Sequence, residues 1–279
     1  MALRWCWAAT FVACVACVAC VACTSTRPVS APSGFDLSEL TPRERREFDG
    51  HLSALGAPCP GETLSLGRCL TERRACLLCE PAARFVWKGV RDGLSKEQVE
   101  ERYAERFDQR RVKELEVDGA PSIGPEGAPV TLVEFFDYQC PVCVDASPIL
   151  EKAVARYPVR VVFKFWPLPM HAKAEPAARA ALAAHAQGKF AAMHAVLFAK
   201  SPAFGPEDLE EYARGLKLDM VRFRADLSSA WVTAQLARDK ALAKALGLHG
   251  TPTIFVNGRQ VPVRGDLDDW ISMELAVRR

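Results

Sequence analysis

Apolar and polar positions divide the chain into stretches of different character. Residues 5–22 are uncharged and rich in Ala, Val and Cys, directly behind the positive charge of Arg4. Residues 23–34 then mix Ser, Thr, Arg and Pro with no apolar period, as a flexible spacer does. From residue 35 to residue 117 the pattern is helical and charge-laced. Thr41 followed by Pro42 and Glu44 predicts a capped helix start. Leu64, Cys69 and Leu70 suggest a second helix. Residues 76–91 read as a third, with Phe85, Val86 and Val90 on one face. Ser95 and Gln98 form a capping-box pattern opening a fourth, which carries Val99, Tyr103 and Phe107 at four-residue spacing. A Gly/Pro-rich run, residues 118–129, marks a boundary. Beyond it Val130–Phe136 reads as a buried strand, Val159–Phe165 as another, and the Ala-rich residues 174–186 and 230–246 as helices. Residues 247–258 read as a loop, a strand and an Asn257-Gly258 hairpin turn.

Composition adds limits rather than identity. The 279 residues are 49% hydrophobic and 25% charged with a net charge of +2, which suits one large or two modest globular domains and excludes a disordered or collagen-like chain. The near-neutral balance lacks the basic footprint of a nucleic-acid binder. The glutamate- and arginine-rich residues 97–116 read as a solvated helix face. No Walker A loop, HExxH or GxGxxG pattern is present.

The 11 cysteines change the picture, because they fall into three groups. Cys6, Cys14, Cys17, Cys20 and Cys23 lie in the leading apolar stretch. That stretch reads as an export signal over residues 1–22. Its ending, Val21-Ala22-Cys23, resembles a bacterial lipobox, so Cys23 is expected to become a lipidated N-terminus. An uncleaved membrane anchor and simple secretion are the alternatives. All three place the remainder outside the cytoplasm, where disulfides persist. Thr24, in place of an acidic retention residue, resembles an outer-membrane sorting signal.

Cys59, Cys69, Cys76 and Cys79 form the second group, in the helical region. In an oxidising compartment two structural disulfides are the expectation, with a zinc site or a second redox pair as alternatives. Haem attachment is excluded, because Glu80 stands where CxxCH needs histidine. Three connectivities are open; a nested pairing, Cys69 with Cys76 and Cys59 with Cys79, is a geometric preference among them.

Cys140 and Cys143 form the third group, in Cys140-Pro-Val-Cys143 at a strand-to-helix junction. Cys140 is placed at a helix N-terminus, where free N–H groups and the macrodipole favour a thiolate. Cys143, one turn on, is held close and shielded. Such a pair can cycle between dithiol and disulfide, with Cys140 exchanging and Cys143 resolving.

Residues 118–279 resemble the DsbA-like branch of the thioredoxin superfamily. The resemblance rests on Glu134-Phe-Phe-Asp-Tyr-Gln-Cys-Pro-Val-Cys143, Phe165-Trp-Pro-Leu-Pro-Met-His171, Gln187-Gly-Lys-Phe-Ala-Ala-Met-His194 and Gly250-Thr-Pro-Thr-Ile-Phe-Val-Asn-Gly258. It implies an α/β thioredoxin fold with an inserted helical subdomain at about residues 173–246; residues 35–117, read from their helical pattern and four cysteines, form a small disulfide-bridged all-α domain before it and are not part of that fold. It also implies that Cys140 is the nucleophile, Cys143 the resolving thiol and Pro252 a cis-proline. Thr251 would offer backbone groups to an extended substrate, and Glu134 would be a buried acid relaying a proton to Cys143. Two departures bear on direction. Val142 replaces the histidine of the strongly oxidising DsbA, and Thr251 before the proline is shared with isomerase-like relatives. His171, His194, His185 and His249 form no nucleophile or metal set and read as packing or hydrogen-bonding residues. In the helical region, residues 93–107 faintly resemble a helix of the cytochrome c maturation protein CcmH, a match too short to carry function.

The implied activity is envelope thiol:disulfide exchange on cysteines of exported polypeptides, as an oxidase. No metal, nucleotide or flavin cofactor is expected. A membrane redox partner must reset the pair: a DsbB- or VKOR-like re-oxidase for an oxidase, or an electron donor otherwise. The alternatives are a reductase or isomerase with few clients, and a lipid-anchored chaperone whose CxxC is structural.

Overall fold

The computed structural model describes residues 36–59, 61, 63–72, 76–262 and 265–277. The expected signal, the spacer and Cys23 lie outside these. Among the described residues no helix is long and apolar enough to cross a membrane.

Among the described residues four α-helices come before the sheet: α1 (Pro42–Ala54), α2 (Leu66–Thr71), α3 (Cys79–Arg91) and α4 (Lys96–Phe107). Local chemistry sets their starts. Thr41 and Glu44 form a reciprocal capping box with Pro42 at the first helical position, and Ser95 and Gln98 form another. The third helix begins at Cys79, three residues later than the periodicity predicts, because residues up to Leu78 are held in a disulfide-bonded turn. The bridges run Cys59–Cys76 and Cys69–Cys79. The nested pairing is therefore corrected. α2 and the start of α3 bring Cys69 beside Cys79, and the loop after α1 carries Cys59 to the turn before α3, a tertiary arrangement that sequence spacing does not contain.

The sheet has the order β1-β3-β2-β4-β5, from β1 (Ser122–Ile123), β2 (Val130–Phe136), β3 (Val159–Phe165), β4 (Thr253–Val256) and β5 (Arg259–Gln260). The central pair β2–β3 is parallel, with Val130 opposite Val159, and α5 (Pro141–Arg156) is its crossover. Five helices separate β3 from β4: α6 (Ala174–His185), α7 (Phe190–Ala199), α8 (Pro206–Gly215), α9 (Met220–Leu227) and α10 (Ala230–Ala245). α11 (Leu267–Ala276) is the last element among the described residues. The β4–β5 turn is Asn257-Gly258, both with positive φ (46° and 80°), as a two-residue hairpin of this hand requires.

The period of two along β2 decides what each face buries. Val130, Leu132 and Phe136 enter the main core with α5, α6, α7 and α11, whereas Val133 and Phe135 face a second core containing Ala243 and Phe255. Leu115 and Val117, before the Gly/Pro-rich boundary, pack against that second core. Glu134 falls on the main-core face, among side chains that offer it no partner. Lys164 of β3 falls on the other face and meets Asp239 of α10 at 3.4 Å, both buried.

The helical region meets the rest of the protein through α4, which packs against β5 and α11. Arg106 of α4 is buried and donates to the Asp269 carboxylate (2.6 Å) and backbone carbonyl (3.0 Å) on α11, with its guanidinium over Trp270. Arg259 donates to the carbonyl of Asp108 at 2.8 Å.

Candidate active site: a dithiol beside a cis-proline loop

β2 ends at Phe136, and four residues later Cys140 serves as the N-cap of α5, with extended backbone (φ −72°, ψ 119°). Pro141 takes the first helical position, where a missing N–H costs nothing. Cys140 therefore sits at the positive end of a 16-residue helix. Across from it runs the Thr251–Pro252 segment, whose peptide bond is cis. The Cys140 thiol donates to the Thr251 carbonyl at 3.4 Å. Neither Cys140 nor Cys143 is bridged, so this is the dithiol form.

The two thiols have different surroundings. Cys143 is 0% exposed. Burial pushes its thiol pKa far up, and the charges of Glu134 and Cys140 act in the same direction. Polar contacts with the Asp137 backbone and with Thr251 oppose them. Val142, between the cysteines, is 53% exposed and brings neither charge nor side-chain hydrogen bond.

Glu134 lies in β2 on the face that α5 covers, 1% exposed, and neither carboxylate oxygen has a hydrogen-bond partner. Burial pushes its pKa up to about 8, so at neutral pH it is mostly a neutral acid. The site thus holds a proton in its floor, close enough to Cys143 for the Glu134 charge to act on that thiol.

The loop before Cys140 is built by Asp137, whose role sequence reading missed. Its carboxylate accepts from the backbone N–H of Gln139 (2.7 Å) and of Leu168 (2.8 Å), and meets His171 Nδ1 at 2.8 Å. Its backbone carbonyl accepts from the Cys140 N–H at 3.1 Å. Gln139 reaches across to accept from the Lys173 N–H. These bonds tie residues 137–140 to the loop after β3. The signal was an Asp at a strand end two residues before a backbone N–H that needed a turn partner. His171 is accordingly a hydrogen-bonding residue. So is His194, buried among Phe136, Phe163, Phe190 and Phe198, with Nδ1 2.9 Å from the Tyr138 hydroxyl. His185 stacks edge-on against Phe190, and His249 is exposed.

Beside the dithiol runs a groove of about 930 Å³, which the sequence did not reveal. Val142, Ile149, Pro252, Ile254, Val261 and Leu267 line it, with Asp145, Lys152 and Arg156 among its polar residues. Cys140, Cys143, Glu134, Thr251 and Pro252 thus meet at one end of the sheet, whereas Cys59, Cys69, Cys76 and Cys79 form a separate cluster in the helical region.

A CxxC at a helix N-terminus, facing a cis-proline loop on this sheet, is the arrangement of thiol:disulfide oxidoreductases. The thioredoxin family model matches residues 116–273, and the chain belongs to that family. A thioredoxin-like oxidoreductase from Silicibacter pomeroyi is 35% identical, with a TM-score of 0.51 over 61% of this chain and 95% of that one. BdbD from Bacillus subtilis, in its oxidised form, is 26% identical, with a TM-score of 0.52 over 60% and 98%. Among curated proteins, a Na(+)/H(+) antiporter NhaA from Salinispora tropica is 42% identical over 139 residues. That match takes 49% of this chain but only 21% of the antiporter, so this chain spans about a fifth of that relative's length.

Proposed function

We propose that the protein is an envelope thiol:disulfide oxidoreductase that exchanges disulfides with cysteines of exported polypeptides, working as an oxidase. The observation that carries this is Cys140 at the α5 N-terminus, 3.4 Å from the carbonyl of Thr251 and facing cis-Pro252, above a buried acid. In the oxidase direction a client thiolate attacks Cys140 Sγ of the enzyme disulfide. The Cys140–Cys143 bond breaks and Cys143 leaves as a thiolate. Because that thiol is pushed far up in pKa, it takes a proton, and neutral Glu134 is the group placed to supply it. A second client thiolate then attacks the client sulfur of the mixed disulfide and releases Cys140. Two electrons pass from client to enzyme, and a membrane re-oxidase must remove them.

The groove suits an extended apolar client segment, with Val142 and Pro252, the neighbours of the dithiol and of Thr251, in its wall. Envelope location is supported by a structural relative described as a periplasmic thioredoxin-like protein from Salmonella enterica, 27% identical with a TM-score of 0.50. Two disulfides in the helical region agree with an oxidising compartment. In this reading lipidated Cys23 tethers the chain to a membrane, the outer one if Thr24 acts as a sorting signal.

Val142 favours a second reading in the same class. An uncharged residue between the cysteines leaves the Cys140 thiolate without a side-chain partner, which lowers oxidising power and suits a reductase or isomerase. The reduction potential of the Cys140/Cys143 pair against a glutathione buffer decides between them. A value near the roughly −120 mV of DsbA supports the oxidase, and one near the roughly −270 mV of thioredoxin supports the second reading. Cys143→Ser should trap client mixed disulfides on Cys140 and Cys140→Ser should trap none; trapping by neither variant overturns both readings.

A further inference from the structure

Four cysteine sulfurs meet at one point where α2 approaches α3. Cys59 comes from the loop after α1, Cys69 from α2, Cys76 from the turn before α3, and Cys79 is the first residue of α3. They form two bridges, Cys59–Cys76 and Cys69–Cys79, but the bridges are not separate. Cys59 Sγ lies 3.6 Å from Cys69 Sγ and 3.6 Å from Cys79 Sγ, each in the other bridge. All four sulfurs lie within 4.8 Å of one another.

Two structural disulfides have no need to share a point, since each constrains its loop equally well at a distance from the other. A tetrahedral metal does need it. With Zn–S bonds of about 2.3 Å, four thiolates sit roughly 3.8 Å apart. The unbonded pairs measured above already have that spacing. Each bridged pair must open only from a bond of about 2.05 Å to the same roughly 3.8 Å. Cys59, Cys69 and Cys79 are buried and Cys76 half-buried, with Ala57 and Leu70 packed around them. That is the closed, all-protein set of a structural zinc site. Cys79 also opens a 13-residue helix that has no side-chain cap, so the positive helix end favours its thiolate.

We propose that this cluster has two chemical states: the pair of disulfides, and a reduced tetrathiolate holding one zinc ion. The interconversion balances with low-molecular-weight disulfides as oxidant. Two molecules of glutathione disulfide take four electrons from the zinc tetrathiolate, whose net charge is 2−. The products are the two protein disulfides, four glutathione thiolates and free Zn²⁺. Glutathione thiols and Zn²⁺ drive the reverse.

The test is cobalt substitution in the full chain, with Cys6, Cys14, Cys17, Cys20, Cys23, Cys140 and Cys143 replaced by serine so that only the cluster offers thiols. The protein is reduced anaerobically with a phosphine and titrated with Co²⁺. The expected result is one cobalt per chain with the strong visible absorption of a tetrahedral tetrathiolate. Zn²⁺ displaces it, and glutathione disulfide discharges it. Adding Cys76→His should keep the one-to-one stoichiometry and shift the absorption to shorter wavelength; adding Cys59→Ser together with Cys79→Ser should abolish it. Absence of tetrahedral absorption overturns the proposal, as does absorption that survives the double serine change. Circular dichroism covers loss of structure on reduction: Zn²⁺ should restore the helical signal, and a reduced chain that zinc leaves unfolded also overturns it.

Discussion

Replacing Glu134 by glutamine should stabilise the reduced protein at neutral and alkaline pH and remove this carboxyl's own contribution to the pH dependence between 5 and 8. The carboxyl has an ordinary value of 4.5, and burial pushes it up to about 8 in the folded protein, with neither oxygen hydrogen-bonded. Below pH 4.5 both folded and unfolded chains carry the proton, and the group costs nothing through titration. Above it the unfolded chain ionises freely while the folded one must keep its proton. Stability is therefore lost as pH rises, by about 1.4 kcal/mol per pH unit, until the folded group also ionises near pH 8. That amounts to about 3 kcal/mol at pH 7, about 4 kcal/mol at pH 8 and about 5 kcal/mol well above it. The glutamine side chain has nearly the same shape and does not titrate. The assay is urea unfolding of wild type and Glu134→Gln at pH 5, 6, 7 and 8 under reducing conditions. The difference between the two proteins is what counts, because every other titrating group cancels in it. The variant should gain on wild type steadily with pH. Parallel pH profiles would show that Glu134 is hydrated or paired in solution, and would sink both this argument and the proton-donor role.

Three further outcomes follow elsewhere, two from buried groups and one from a backbone turn. His194→Phe should flatten the acid limb: burial lowers the histidine from 6.5 to about 3, so stability falls by about 1.4 kcal/mol per unit as pH drops through that window. An unchanged acid limb in urea unfolding at pH 4 to 7 would refute this. Asp239→Asn should cost about 3 kcal/mol by leaving Lys164 buried without its counter-charge, and Lys164→Met with Asp239→Leu should recover most of it. Urea midpoints that put the double variant below the single one would contradict that account. Gly258→Ala should lower the melting temperature, because φ is +80° and a Cβ there would lie 2.3 Å from the Lys113 carbonyl oxygen; an unchanged melting temperature would mean that the contact relaxes at no cost.

Much of this protein was legible in its sequence because the information is local. A Thr or Ser three residues before Glu or Gln caps a helix through bonds within one turn, so Thr41 and Ser95 announced α1 and α4. Alternation with a period of two placed Glu134 and Phe136 on one face of β2. The CxxC and Thr251-Pro252 motifs were readable for the same reason, although 107 residues lie between Cys143 and Thr251. Their meeting at one end of the sheet is decided by the β2–β4 pairing, which sets Glu134 opposite Ile254.

What only the tertiary structure decided is who stands next to whom across long loops. Residues 173–246 intervene between strands, and nothing local says that α10 will lay Asp239 on Lys164. The cysteine pairing depends on how α2 lies against α3, which is why a preference for nested bridges gave way to Cys59–Cys76 and Cys69–Cys79. Asp137 could be read as a turn residue, yet its hold on Leu168 and His171 exists only once β3 lies beside β2. The neutral state of Glu134 is likewise a tertiary property. The residue type and its face come from the chain, but its raised pKa comes from the packing of α5 over it, which removes water and offers no hydrogen bond in return.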